Sequence, residues 1–246
     1  MSGNNTSEFT PELERYELSE RPKYSFQLGR RDFVKVTGGG LLVLFVMKQA
    51  LAGQESGRGR GEFRGNALPQ DIGAWLHIDE DGVITAYTGK VEMGQEIRTS
   101  LTQAIAEELK SPIESIKLVM GDTDLTPFDM GTFGSQTTPR MASELHKVAA
   151  SARESLIDLA CEQWKADRST VTVEGGKVIG HGLGQSLTFA QLTKGRQLTR
   201  TVSDDSPVTP AIKWTIAGQP VKKIGAVAVV TGRHKYTSDV KLPGML

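Results

Sequence analysis

The apolar positions change their spacing several times along the chain, and each change predicts an element of a small folded domain. Two apolar, β-branched runs at 75–78 and 83–87 flank an acidic stretch that ends in Asp81-Gly82. An Asp-Gly pair between two such runs favours a β-hairpin. We therefore place the start of the domain near Ile72 and expect a hairpin as its first element.

Two longer segments carry apolar residues at helical spacing. The first begins at Ile97 and ends before Ser111-Pro112, because proline cannot continue the hydrogen-bond ladder of a helix. The second extends from Met141 to about Trp164. Between these helices, the apolar run at 116–120 predicts a strand that leads into a long polar loop.

The C-terminal part of the chain is less regular. Glu174-Gly175-Gly176 separates two short β-branched runs and predicts a second hairpin, and Thr188 is a suitable N-cap for a short helix. Residues 199–223 are polar, contain proline and show no periodicity, so we expect a linker before a new apolar run at 224–230. The predicted fold class is α/β, of the α+β kind, with a small sheet of hairpins packed by two amphipathic helices.

The first 52 residues have the order of an export signal. Arg30-Arg31 precedes a glycine-containing apolar run at 36–47, and Ala50-Leu51-Ala52 follows with the small residues Ala50 and Ala52 at cleavage-site spacing. Adjacent arginines favour the twin-arginine route and predict a periplasmic protein. The acidic tail ahead of Arg30 and Arg31 departs from a short basic n-region, which leaves open whether the signal is cleaved or stays as a membrane anchor. Residues 53–71, rich in glycine, predict a flexible linker.

Composition narrows the functional classes. The 246 residues carry 29 Lys+Arg and 29 Asp+Glu, and a net charge of +0 argues against a nucleic-acid binder held by bulk phosphate attraction. Cys161 is the one cysteine, so this chain alone holds no iron–sulfur cluster, which normally needs four thiolates. The four histidines do not occur at a spacing typical of metal ligands, and we predict no metal-ligating residue.

A first candidate for ligand contact is the first loop, residues 89–95, between a strand and a helix start. Backbone N–H groups at a helix start are unsatisfied and favour anions. Gly94 permits close approach, and the Gln95 amide both donates and accepts hydrogen bonds. We interpret Glu92 as an acceptor that anchors this loop, not as an acid–base catalyst. Glu96 adds a second carboxylate, which argues against anion binding at the helix end.

A second candidate is the second loop, residues 121–138. Its part Gly131-Thr132-Phe133-Gly134-Ser135-Gln136-Thr137-Thr138 contains two glycines, several hydroxyls, one amide and no cationic side chain. This composition suits hydrogen bonds to a polar, phosphate-bearing ligand and suits acid–base catalysis poorly. Glycine-rich loops between a strand and a helix are more often plain turns, so composition by itself leaves that alternative open.

The ordered motifs at 89–95, 121–127 and 131–137 closely resemble the molybdopterin-binding subunits of the xanthine dehydrogenase/aldehyde oxidase family, and most nearly its bacterial isoquinoline 1-oxidoreductase branch. The resemblance spans about residues 75–164 and resumes at 225–246, where residues 231–240 look like the opening of the family's hammerhead domain. It implies a molybdopterin-binding-like domain at 72–198 and the start of a hammerhead-like domain at 224–246.

The resemblance further implies a molybdopterin-type molybdenum cofactor, expected in its cytosine dinucleotide form. The residues that would contact it are Met93, Gly94, Gln95, Gly131, Thr132, Phe133, Gly134, Ser135, Gln136 and Thr137. Iron–sulfur clusters would lie on a separate small subunit, and an electron-accepting cytochrome is a further candidate partner. Complete family members hydroxylate aldehydes or heteroaromatic rings with oxygen from water, which implies a small-molecule substrate, no nucleic acid, and membrane contact only through the signal segment.

The family's general-base glutamate lies far downstream in a Gly-Glu-Pro context that these 246 residues lack, so no residue is assigned a catalytic role. We therefore expect the N-terminal cofactor-binding part of an exported molybdenum hydroxylase, inactive by itself. One alternative is a non-catalytic truncated remnant or partner-binding module of the same fold. The other is an unrelated periplasmic α/β binding protein.

Overall fold

A computed structural model describes residues 39–46, 72–126, 129, 131–202 and 207–245 of the chain, and its strands form two sheets. The strands in chain order are β1 (Gly40–Val46), β2 (Ile72–Ile78), β3 (Ile84–Thr88), β4 (Ile116–Met120), β5 (Val171–Glu174), β6 (Lys177–Gly180), β7 (Gln185–Thr188) and β8 (Gln197–Val202). The larger sheet has the order β4-β3-β2-β1-β8, and the smaller antiparallel sheet has the order β5-β6-β7.

Two long helices and two short ones accompany the sheets. They are α1 (Ile97–Leu109), α2 (Ser143–Trp164), α3 (Phe189–Thr193) and α4 (Ala226–Val230). A π-helical stretch, Thr137–Ala142, leads directly into α2, and short 3-10 turns cover Ile113–Ser115, Arg168–Thr170, Ala211–Lys213 and Thr237–Asp239. Among the described residues, no helix has the length and apolar character needed to cross a membrane.

The structure confirms the elements that have a strong local signal. Strands β2 and β3 form the predicted antiparallel hairpin, and Asp79 Oδ1 closes its turn by accepting the N–H groups of Asp81 and Val83 at 2.9 and 2.8 Å. Helix α3 has the predicted N-cap, because Thr188 Oγ1 accepts the N–H of Gln191 at 3.2 Å. The two long helices, β4 and the β5–β6 hairpin also lie where the sequence predicts them.

The two long helices pack against each other and against the sheets. One apolar core joins both sheets to both helices, and its members include Leu76, Ile105, Leu145, Leu156 and Val178, all fully buried. The mixed α/β fold class with two packed helices is therefore confirmed. The larger sheet is not made of hairpins alone, since β3 pairs with β4, and β1 with β8, in parallel.

The apolar run ahead of the predicted domain forms a strand. Strand β1 lies between β2 and β8, and the Leu41, Leu42 and Val43 side chains are at most 2% exposed. The described fold thus includes a strand that precedes the predicted boundary at residue 72. A short apolar run buried on both faces has the composition of a signal's apolar region, so the sequence pattern does not separate the two. Arg30, Arg31, Ala50, Ala52 and the predicted linker at 53–71 lie outside the described residues.

The segment predicted as a linker at 199–223 is also structured where it is described. Strand β8 runs to Val202, and residues 207–224, which we call the strap, lie along α1. The side chains of Thr99, Gln103 and Glu107 on α1 hold the strap's backbone by hydrogen bonds. Glu107 Oε2, for example, accepts the consecutive N–H groups of Thr215, Ile216 and Ala217 at 2.8, 2.6 and 3.0 Å. These hydrogen bonds use the backbone of the strap and not its side chains. The strap therefore needs no apolar periodicity, and its sequence gives no sign of this element.

Candidate functional site

Both candidate loops leave the same edge of the larger sheet. Strands β3 and β4 are parallel neighbours, and their last residues, Thr88 and Met120, pair with each other. The first loop follows Thr88 and the second follows Met120. Since the carboxyl ends of adjacent parallel strands meet at one edge, the sheet itself brings the two loops together, in the position where open α/β sheets commonly bind ligands.

Glu92 closes the first loop onto the start of α1. Its Oε1 accepts the N–H groups of Gly94 and Glu96 at 2.8 and 2.9 Å, and its Oε2 accepts the N–H of Arg98 at 3.0 Å. Desolvation tends to raise the pKa of Glu92, but these bonds and the charge of Arg98 outweigh it and lower the pKa. The predicted role of Glu92 as a loop anchor is confirmed. Because a carboxylate already occupies these donors, the start of α1 is a poor place for a second anion.

The Gln95 side chain also forms hydrogen bonds within the first loop. Its Oε1 accepts the N–H of Met93 at 2.5 Å, and its Nε2 donates to the carbonyl of Val91 at 2.9 Å. Gly94 between them has φ 96°, a left-handed value that favours glycine. The first loop is therefore a hydrogen-bonded turn that leaves the Met93 side chain 68% exposed.

The second loop has an unusual backbone next to α2. Gly131, Gly134 and Ser135 have φ values of 130°, 62° and 54°, and Ser135 adopts the left-handed region without being a glycine. The π-helical stretch follows directly, and such stretches often occur at functional sites. Backbone strain of this kind is retained where the surrounding structure fixes it, which marks the loop as a candidate binding element.

Hydrogen bonds join the two loops. Lys90 Nζ donates to Asp129 Oδ1 at 2.7 Å and to the carbonyl of Gly131 at 2.6 Å. The N–H of Val91 donates to Thr132 Oγ1 at 2.8 Å. The sequence does not indicate the pair formed by Lys90 and Asp129, because the two residues are 39 positions apart and neither belongs to a periodic pattern.

An open pocket of about 410 Å³ lies between the loops. Its lining consists of Met93, Gln95, Ile97, Thr132, Phe133, Ser135, Thr137 and Thr138. Six of the ten predicted cofactor contacts are in this lining. The other four, Gly94, Gly131, Gly134 and Gln136, lie in the same two loops. Ile97 and Thr138 were missed, although Thr138 extends the run of hydroxyls and Ile97 is the first apolar residue of α1.

The lining offers hydrogen bonds and apolar contact but no charge. Four hydroxyls, from Thr132, Ser135, Thr137 and Thr138, face the pocket together with the exposed side chains of Met93 and Phe133. No lining residue titrates near neutral pH, so the pocket is suited to binding and not to acid–base catalysis. Within the described ranges, no group of three or more His, Cys, Asp or Glu side chains is arranged to hold a metal ion.

Comparison with known proteins identifies a family that matches most of the chain. The molybdopterin cofactor-binding domain family matches residues 37–234. A nicotinate dehydrogenase subunit from Pseudomonas putida is 31% identical over 177 residues, which are 72% of this chain and 15% of that protein. The beta subunit of isoquinoline 1-oxidoreductase from Brevundimonas diminuta is 23% identical over 211 residues, covering 70% of this chain and 27% of that protein. The chain thus spans about a quarter or less of the length of these relatives.

Solved structures show a weaker likeness. Quinoline 2-oxidoreductase from Pseudomonas putida 86 superimposes with a TM-score of 0.44 at 25% identity, over 48% of this chain and 15% of that one.

Proposed function

The chain belongs to the molybdopterin cofactor-binding domain family, and from this premise we propose that the pocket between its two loops binds a molybdopterin-type molybdenum cofactor. The observation that carries the proposal is the convergence of six predicted contact residues on one open pocket. The lining contains no His, Cys, Asp or Glu side chain, so the proposal concerns the organic part of the cofactor, which carries the molybdenum.

The pocket's chemistry fits such a group. A pterin has donors and acceptors along its edge, which the hydroxyls of Thr132, Ser135 and Thr137 can meet, and a flat face on which Phe133 can pack. When bound, the cofactor supplies the redox chemistry and the transfer of oxygen from water. The residues of this chain bind and orient it. The cytosine dinucleotide form is the finer proposal, and it follows from the sequence resemblance.

We further propose that the whole protein is a molybdenum hydroxylase that oxidises an aldehyde or an N-heteroaromatic compound. The names of the nicotinate and isoquinoline relatives refer to N-heteroaromatic compounds, and the name of another, the membrane-bound aldehyde dehydrogenase of Gluconacetobacter polyoxogenes, refers to aldehydes. Two of these names designate subunits, which supports partner chains. A small iron–sulfur subunit and an electron-accepting cytochrome are the partners we propose.

A substitution of Gln95 tests the cofactor proposal. Gln95→Ala removes the two hydrogen bonds that close the first loop, and each contributes about 0.5–1.5 kcal/mol net. Because Glu92 still accepts the N–H groups of Gly94 and Glu96 in this loop, we expect the net loss to equal about one such bond. Cofactor affinity in the complete protein should then fall about 3- to 10-fold while protein yield stays unchanged. Molybdenum per purified protomer gives the measurement.

His181→Ala is the control for this substitution. The His181 side chain is 55% exposed and bonds Thr172 in the smaller sheet. Its replacement should leave the molybdenum content unchanged. Full molybdenum in the Gln95 variant together with a loss in the His181 variant would place the site elsewhere. A wild-type protein without molybdenum would favour a non-catalytic module.

We also propose export through the twin-arginine route, on the strength of Arg30-Arg31 ahead of an apolar run. In this proposal the signal stays attached, because cleavage after Ala52 would remove β1 from between β2 and β8. Residues 1–61 fused to a folded reporter should carry the reporter to the periplasm. The fusion with Arg30→Lys and Arg31→Lys should remain in the cytoplasm, and export of that variant would count against the route.

A further inference from the structure

The second loop needs an external anchor. The described residues between Met120 and Thr137 belong to no helix or strand, so their position depends on contacts with other parts of the chain. Both loops start at fixed points on the sheet edge, where Thr88 pairs with Met120, but residues 129–133 lie well beyond that edge along the chain. Thr88 is fully buried, its carbonyl accepts the N–H of Gly121 at 3.1 Å, and its Oγ1 accepts the N–H of Lys90 at 3.2 Å.

Lys90 connects the fixed point at Thr88 to the second loop. Its Nζ bonds both the Asp129 carboxylate and the Gly131 carbonyl, and the same Asp129 Oδ1 accepts the N–H of Gly131 at 2.8 Å. The Lys90 and Asp129 side chains are only 12% and 11% exposed. Removing either charge of such a buried pair destabilises the fold, because the remaining charge stays buried without a partner. The pair therefore holds Gly131 from both its N–H and its carbonyl.

The fixed Gly131 in turn sets one wall of the pocket. It has φ 130°, and a Cβ at this position would approach the Phe133 ring to 3.2 Å. The next residue, Thr132, accepts the N–H of Val91, and both Thr132 and Phe133 line the pocket. Neither Lys90 nor Asp129 is in the lining. Any effect of the pair on a ligand must therefore pass through the backbone of residues 131–133.

We propose that Lys90 and Asp129 form a positioning pair that holds residues 131–133 in the arrangement that binds the cofactor. This inference rests on the proposed function, since it concerns the ligand of the same pocket. The pair touches no ligand and is not catalytic. It determines how much of the protein has a pocket ready to bind, and a lower fraction of ready pockets weakens the apparent affinity in proportion.

Four variants of the complete protein test the pair. Lys90→Met and Asp129→Asn each remove one charge, and Lys90→Arg keeps the charge and offers donors for both acceptors. Lys110→Met is the matched control, because Lys110 pairs with the buried Glu107 at 2.5 Å on the opposite end of α1. The measurements are the thermal midpoint, amide hydrogen exchange of residues 131–135 without cofactor, and the dissociation constant of the isolated molybdopterin-type cofactor from the cofactor-free protein.

We expect Lys90→Met and Asp129→Asn to speed hydrogen exchange at residues 131–135 and to raise the dissociation constant about tenfold. A tenfold rise corresponds to a variant in which about one molecule in ten has residues 131–133 in the binding arrangement. Lys90→Arg should restore both values to near wild type. Lys110→Met should lower the thermal midpoint and leave the dissociation constant unchanged.

The outcomes separate this inference from the function on which it rests. If the wild type binds the cofactor and Lys90→Met binds it with the same affinity, the proposed positioning pair is overturned and the proposed function is not. Equal weakening in Lys90→Met and Lys110→Met also overturns it, because general destabilisation then explains the result. A wild-type protein that binds no cofactor overturns the proposed function, and the hydrogen exchange still reports whether Lys90 holds the loop.

Discussion

Replacing Glu108 with glutamine is expected to lower the free energy of unfolding by about 3–5 kcal/mol, the usual cost of breaking a buried ion pair from one side. The Glu108 side chain is fully buried in α1 and bonds three partners: Arg153, His146 at 2.9 Å and the backbone N–H of Thr209 at 2.9 Å. The Arg153 side chain is only 13% exposed, so losing the Glu108 charge leaves a largely buried cation whose remaining anionic partner is Glu154 at 3.0 Å. An amide keeps one acceptor oxygen but replaces the other with an NH2 group, which faces the Arg153 donors unless it turns to the Thr209 hydroxyl.

Denaturant unfolding of the purified chain measures this effect. The matched control is Glu162→Gln on α2, because the Glu162 side chain is 77% exposed and lies 4.0 Å from the guanidinium of Arg196. An exposed pair of this kind contributes about 0–1 kcal/mol. If the two variants lost the same stability, Glu108 would not be the centre of the contact between α1, α2 and the strap.

The same carboxylates predict how stability depends on pH. Desolvation tends to raise the pKa values of Glu107 and Glu108, but hydrogen bonds and charges outweigh it and lower both pKa values below 4.5, the value of an unperturbed glutamate. Ionised carboxylates therefore stabilise the fold fully above pH 4.5, and this contribution is lost as the pH falls through the lowered native pKa. We expect the stability difference between wild type and Glu108→Gln to be largest at neutral pH and to shrink below pH 4.5. A difference that stays constant with pH would show that ionisation is not the cause.

The elements that could be predicted from the sequence are those whose signals are local. The Asp81-Gly82 turn, the proline after α1 and the cap at Thr188 each fix a boundary through neighbouring residues. Strand β8 shows no such signal. Its residues are mostly polar and exposed, and it is a strand because it pairs in parallel with β1, more than 150 residues earlier in the chain. The strap is absent from the sequence pattern for a similar reason, since side chains of α1 hold its backbone.

The candidate site, too, could be predicted only in part from the sequence. The composition of the two loops indicates hydroxyls, glycines and an amide, and the structure places six of the predicted residues around one pocket. The composition of the loops does not show which partner each polar side chain bonds. Glu92 and Gln95 use their polar atoms inside the first loop, and the side chain of Lys90 reaches across to the second. These assignments depend on which atoms the folded sheet edge brings within bonding distance.

Gly134→Val is expected to reduce cofactor affinity about 10- to 100-fold, because a β-branched residue in a left-handed conformation costs about 1–3 kcal/mol. Gly134 has φ 62°, and the nearest atom to an added Cβ is Gln136 Cγ at 3.8 Å. Space is therefore not the obstacle. The strain comes from the backbone, and the loop relieves it by leaving the conformation that forms the pocket.

A matched glycine separates the pocket from general stability. Gly182, between β6 and β7, has φ 80° and open space around its Cβ position, so Gly182→Val imposes a similar strain away from the pocket. Both variants should lose similar thermal stability, but only Gly134→Val should lose molybdenum from the complete protein. Gly134→Asn should retain most of it, because asparagine tolerates the left-handed region. Equal molybdenum in all three variants would mean that the backbone at 134 does not shape the cofactor site, and the proposed pocket would have to be abandoned.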